Sequence, residues 1–149
     1  MKTENVMGTI KAEIEFVNPT DLVLLDDKKI EESAVRRMNI TALADTGAYM
    51  LCINEPIRQH LGLRHMTYQK LELADGSVVD IDVVGPVIVN FKNRTTACPA
   101  IALPNNAQPL LGSIPMVGMD VVLVPLKQTI DVNPEHPLMA QTIVKQFRQ

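Results

Sequence analysis

The stretch Leu43-Ala44-Asp45-Thr46-Gly47-Ala48 decides how the rest of the chain is read. It sets one carboxylate in a run whose other members, Ile40, Ala42, Leu43 and Ala44, then Met50, Leu51 and Ile53, are apolar. Burying an Asp is unfavourable unless it is paired, hydrogen-bonded or protonated, so Asp45 needs a physical reason to be there. Gly47 permits a tight turn and close backbone approach. Thr46 can hydrogen-bond locally or across an interface, and a glycine-containing turn aims backbone N–H groups at a carboxylate. Alone, Asp-Thr-Gly also fits an Asp-initiated turn between two strands. A tripeptide of these types is expected by chance in roughly one chain in thirty of this length.

Upstream of that stretch, residues 8–16 alternate, with Ile10, Ala12, Ile14 and Phe16 on one side and Thr9, Lys11, Glu13 and Glu15 on the other. This pattern predicts a half-buried strand. Asn18-Pro19-Thr20-Asp21 predicts a turn and 22–25 a short strand. Residues 26–37 predict an exposed charged loop or short helix, and 38–43 a strand running into Asp45.

Downstream, 51–53 resumes the apolar run. Asn54 as N-cap, Pro56 in the first turn and Gly62 as stop predict a helix over 55–61. The runs 66–73 and 78–84 flank Ala74-Asp75-Gly76-Ser77, and Asp-Gly between two strand-like runs signals a hairpin. A further strand is expected over 86–91, turned at 92–94, and another over 96–103, broken at Pro99 on an edge. Leu110-Leu111-Gly112 precedes Ser113-Ile114-Pro115, where Ser113 as cap and a first-turn Pro predict one or two helical turns. Strands over 120–124 and 128–132 and a short amphipathic helix over 138–147 complete the chain. The reading is a mainly β single domain.

With 149 residues, 46% of them hydrophobic, the chain suits one core. The net charge of −3, the absence of Trp and the mere two Tyr and three Phe argue against a nucleic-acid partner. No apolar run approaches the ~20 residues that span a bilayer. No secretory signal follows Met1, so a reduced, cytoplasmic setting and no membrane partner are expected. Cys52 and Cys98 are too few for a disulfide framework or a Cys-rich zinc site. His60, His65 and His136 lack metal-ligand spacing, so no metal is expected. Cys52 reads as a packed core thiol, Ser113 as a cap, Asp75 as turn chemistry, and the charges at 26–29 and 31–32 as solvated.

The order is strand, Asp-Thr-Gly-Ala, short helix, hairpin, apolar-apolar-Gly, helix, strand. Together with Leu43–Ala48 and Ile53, Leu73-Ala74-Asp75-Gly76, Gly85-Pro86-Val87 and Pro109-Leu110-Leu111-Gly112-Ser113-Ile114-Pro115, the chain resembles a retropepsin-like aspartic protease, and among those the small prokaryotic single-lobe kind. The resemblance covers about residues 8–134 and leaves 135–149 as a tail. It implies a closed, mostly antiparallel retropepsin-like (acid protease) β-barrel with short helices and a single lobe. Asp45 would be the catalytic carboxylate, on a loop shared with Thr46, Gly47 and Ala48. Thr46 would brace that loop against its counterpart in a partner chain, and Gly47 would let backbone reach the carboxylate. Leu110, Leu111 and Gly112 would form a strand passing through the loop. Ala74, Asp75, Gly76 and Ser77 would form the tip of a flap over a peptide or protein substrate.

Such proteolysis uses two carboxylates sharing one proton, with a water activated between them and no metal or cofactor. One Asp-Thr-Gly in the chain then implies a C2 homodimer. Viral relatives carry an Arg soon after the second glycine, whereas Gly112 here is followed by Ser113-Ile114-Pro115, so other contacts must hold the dimer. The alternative is a catalytically inactive domain of this kind used for dimerisation or peptide binding.

Overall fold

The computed structural model describes residues 10–146. Alternation builds its first strand: β1 (Lys11–Val17) buries Ala12, Ile14 and Phe16 and turns Lys11 and Glu13 to solvent. Gly8 and Thr9, expected to begin it, lie outside the described residues. The turn expected at 18–21 and the strand at 22–25 are instead one helix, α1 (Pro19–Asp26). Asn18 Oδ1 accepts from the Asp21 N–H at 3.2 Å, and Pro19 opens the first turn, where its missing donor costs nothing. Asn and Pro mark turns and helix starts alike, so the local cues at 18–21 suit both. The charged stretch that follows is exposed at 26–29 and carries a single 3₁₀ turn, Glu32–Ala34.

Asp21 is buried and accepts from Arg36 three times, from its backbone N–H at 2.9 Å, Nε at 2.8 Å and Nη2 at 2.9 Å. The Arg36 side chain, above all by hydrogen bonding, holds the Asp21 carboxyl below the usual carboxylate range. This pair ties α1 to the start of β2 (Arg37–Ala44). After β2 come β3 (Leu51–Asn54) and α2 (Glu55–Leu61), the latter with the predicted bounds. Asn54 Oδ1 accepts from the Ile57 N–H at 3.1 Å, and Gly62 ends the helix at φ 65°.

The hairpin is β4 (His65–Glu72) with β5 (Val78–Phe91). The two strands expected over 78–91 are one, because Gly85 at φ 122° lets the chain bulge without leaving the sheet. Nor is β6 (Arg94–Leu103) broken at Pro99. The β5–β6 register shifts between Val84 and Val87, which places Gly85 and Pro86 opposite Pro99, so the missing donor falls where no ladder bond is due. Pro99 therefore sits in an interior strand between β5 and β3, not on an edge.

The chain continues as β7 (Leu110–Leu111), α3 (Ser113–Met119), β8 (Val121–Val124) and β9 (Thr129–Val132). Gly112, not Ser113, is the N-cap of α3. Asp120, expected to open β8, is the C-cap of α3 at φ 54°. The helix expected over 138–147 does not form over 138–146, and Phe147 lies outside the described residues. Leu138, Met139, Ile143 and Val144 are all exposed, and a short helix with no surface to pack against is unstable. Asp120 draws the segment back instead: its carboxylate accepts from the Gln141 N–H at 2.9 Å and Asn133 Nδ2 at 3.1 Å and faces His136 Nδ1 at 2.7 Å. These bonds, Gln141 first, hold the Asp120 carboxyl down at about 2.

The fold is mainly β. Strands run in the order β1-β2-β7-β3-β6-β5-β4, and a β1–β5 pairing closes β1, β2, β7, β3, β6 and β5 into a ring. β4 extends the sheet from β5, and β8–β9 is a separate ribbon. The principal core fills the ring with Ile10, Phe16, Leu51, Ile53, Val84, Val87, Val89 and Leu111, with Leu61 and Met119 from the helices. Each such side chain contributes about 1.5–3 kcal/mol by leaving water. No helix among the described residues is long and apolar enough to cross a membrane.

Candidate functional site

β7 explains how Asp45 is placed. This two-residue strand lies parallel to β2, pairing Leu43 with Leu110 and Ala44 with Leu111, and antiparallel to β3, pairing Cys52 with Leu110. The loop 45–50 between β2 and β3 must therefore arch over the end of β7. The Asp45 N–H donates to Leu111 O at 3.0 Å, and Asp45 O accepts from the Ala48 N–H at 3.1 Å. Beyond β7, the Ser113 N–H donates to Ala48 O and the Ile114 N–H to Tyr49 O, both at 2.9 Å. The Ser113 hydroxyl donates to Thr46 O and Ala48 O at 3.4 Å, so it braces the loop and does not cap the helix.

Gly112 makes this crossing feasible. A Cβ there would fall 2.3 Å from Met50 O and 2.7 Å from Ala48 O, so no other residue fits beneath the loop. Gly47 acts on the carboxylate itself: its N–H donates to Asp45 Oδ1 at 2.8 Å. Asp45 is half-buried, and its other oxygen, Oδ2, has no hydrogen bond among the described residues. Thr46 is exposed and its hydroxyl makes no hydrogen bond there either. Asp45 is the one charged side chain between Arg37 and Glu55.

The tip Ala74-Asp75-Gly76-Ser77 is exposed throughout and bonds only to itself and Leu73. Asp75 Oδ1 accepts from the Ser77 hydroxyl at 2.6 Å and its N–H at 2.8 Å, bonds that lower the Asp75 carboxyl below its ordinary range. Asp75 is thus turn chemistry. The root of the hairpin sits beside the Asp45 loop: Val83, with Leu71 and Ile81 partly buried, packs in one apolar cluster with Met50, Cys52, Ile101 and Leu110.

Burial, and secondarily the charge of Asp45, pushes the Cys52 thiol up to about 11, and burial does the same to Cys98. Neither is a thiolate nucleophile at neutral pH. His65 pairs with Asp82 across the hairpin root, and His136 with Asp120.

Comparison with protein-family models and with curated proteins finds no match to this chain. The fold brings Asp45, Gly47 and Ala48 together with Leu111, Gly112 and Ser113, and leaves Ala74–Ser77 apart from them as a separate tip. Sequence reasoning missed the Asp21–Arg36 and Asp120–Gln141 links, since each joins residues 15 and 21 positions apart with no periodic signal. It also missed the exposed apolar trio Tyr49, Ile114 and Val117 beside the loop, to which the unbroken apolar character of α3 was the available pointer.

Proposed function

We propose that the protein is a retropepsin-like aspartic endopeptidase acting as a homodimer. The observation that carries this is Asp45: a half-buried carboxylate alone in an uncharged seam, with Oδ1 held by the Gly47 N–H and Oδ2 open. The arch over β7, the ring of strands and the hairpin rooted beside the loop support a closed barrel of that kind with the hairpin as its flap.

In this reading Asp45 from each chain meets its twin at the two-fold axis. Two carboxylates about 3 Å apart do not both ionise, so the pair keeps one proton. The ionised member takes a proton from a water, which attacks the peptide carbonyl. The protonated member polarises that carbonyl and then protonates the leaving amine. The Gly47 N–H keeps Oδ1 oriented, which leaves Oδ2 for the water. Thr46, with its unused hydroxyl, meets the partner loop, and the flap tip covers an extended peptide.

The test is cleavage of denatured casein and a peptide library from pH 3 to 7, with and without pepstatin, by wild type and Asp45→Asn. Wild type is expected to cleave, and the substitution to lower kcat/KM at least about a thousandfold. Equal, negligible cleavage by both across the range would overturn the reading in favour of a binding or dimerisation module.

A further inference from the structure

The hairpin arm leaves the body of the sheet at Asp82. On β5, Asp82 still pairs with Ala102 of β6, whereas Val78, Val79, Asp80 and Ile81 pair with β4 alone. Beyond that point the arm stands in solvent, with Tyr68 and Val78 exposed, while Leu71 and Ile81 pack back on the apolar cluster beside the Asp45 loop. At the same root the β4–β5 register slips between His65 and Thr67, so the backbone ladder is interrupted where the arm needs bracing. Side chains span the gap. His65, whose ladder partner is Val84, reaches along β5 to pair through Nδ1 with Asp82 Oδ1. Asp82 Oδ2 faces Arg58 Nη2 of α2 at 3.6 Å, and Arg58 Nη1 donates to Glu55 Oε2 at 3.2 Å. Helix α2 is itself fixed, with Ile57 and Leu61 in the core. Arg58 Nε is buried with no partner among the described residues, so Glu55 and Asp82 are what answer the guanidinium charge.

We infer that the chain Glu55–Arg58–Asp82–His65 is a pH-sensitive hinge that governs how firmly the arm lies beside the Asp45 loop. Its consequence, control over the entry of a peptide, rests on the peptidase reading and is a regulation of that same site. Five groups meet at the root: Asp82 from β5, Arg58 and Glu55 from α2, and His65 and Tyr68 from β4, whose rings lie 4.5 Å apart. Arg64, next along the chain, makes no ion pair among the described residues. Of these, histidine is the side chain that changes charge between about pH 5 and 8. Below that range Asp82 holds two cations, one from β4 and one from α2. Above it the neutral ring still donates a hydrogen bond from Nδ1, but a charge-assisted bond is about twice as strong as a neutral one. The arm is therefore braced in mild acid and loosened as pH rises. His65 acts through Asp82 and is a positioning residue.

The experiment follows amide exchange over residues 69–81, corrected for intrinsic rates, with β1 and β2 as the reference. It compares wild type, His65→Gln and His65→Lys at pH 5.5 and 8, with peptide cleavage by each, and by Asp45→Asn, at pH 5.5 and 7. The His65 side chain is 43% exposed, so neither replacement disturbs the core. Wild-type arm protection is expected to fall about threefold to fivefold as pH rises, the worth of one partly exposed charge pair, with β1 and β2 unchanged. His65→Gln, never charged, is expected to be loose at both pH values, and His65→Lys, charged throughout, to be braced at both. In cleavage, the wild-type KM is expected to move from that of His65→Lys toward that of His65→Gln between pH 5.5 and 7. Arm protection that ignores pH in wild type would overturn the hinge, as would a pH dependence that survives in His65→Gln. With cleavage still lost in Asp45→Asn, either result would leave the peptidase standing. A pH-braced arm in a protein inert on every substrate would keep the hinge and overturn the peptidase.

Discussion

Gly112 has no room for a side chain. With Met50 O 2.3 Å and Ala48 O 2.7 Å from any Cβ, Gly112→Ala must lift the Asp45 loop off β7. Such overpacking is expected to cost about 1–3 kcal/mol, read as a lowered Tm, and, under the proposed peptidase function, to abolish cleavage even where the protein stays folded. Gly47 is the graded counterpart, because its Cβ would meet only the Asp45 side chain, Oδ1 at 3.0 Å and Cγ at 3.9 Å. Gly47→Ala is expected to leave Tm nearly unchanged and, under the proposed function, to lower kcat by turning the carboxylate. Equal effects on Tm would show that both glycines serve packing alone.

Among the described elements, β7 is the shortest strand and carries the crossing beneath the Asp45 loop, since it alone lies between β2 and β3. Leu111 is fully buried there, so Leu111→Ala is expected to cost about 2–5 kcal/mol in denaturant unfolding. The segment after β9 is held by the Asp120 carboxylate together with Asn93 Nδ2, which donates to Pro137 O at 3.0 Å, and Arg94, which donates to His136 O. Asp120 sits at about 2 against an ordinary value of 3.8. A lowered folded-state value means that the clasp is fully made above about pH 4 and lost as pH falls toward 2. Hydrogen exchange at the Gln141 amide is expected to stay slow at pH 4 and to quicken about tenfold in Asp120→Asn at the same pH. Unchanged exchange in the variant would remove Asp120 as the clasp. The helix 55–61 was readable beforehand because cap, Pro and Gly are contiguous cues. Helix α1 was not, because Asn18-Pro19 also suits a turn, and the buried Asp21–Arg36 pair that settles the matter lies in three dimensions.

For the whole molecule, the proposed two-chain site would make activity depend on concentration. The rate per chain is expected to fall on dilution through the dimer dissociation constant and to recover on concentration; a rate strictly proportional to enzyme at every dilution would contradict a reversible two-chain site. Acid sets a second limit. The Asp21 carboxyl is lowered by Arg36, so the stability it supplies is present above about pH 4 and lost as pH falls below it. Asp21→Asn is expected to lower Tm at pH 7, by about 2 kcal/mol of stability, and to flatten its dependence on pH in the acid range.

Periodicity and local cues sufficed for the mainly β character, for most strand positions and for Asp45 as the residue to examine, because alternation, capping and turn chemistry act over neighbours in the chain. Pairing across the ring set the rest. The β7 insertion between β2 and β3, the Gly112 crossing and the bulge that admits Pro99 depend on contacts between residues tens of positions apart, where backbone donors and excluded volume meet only once the chain has closed on itself.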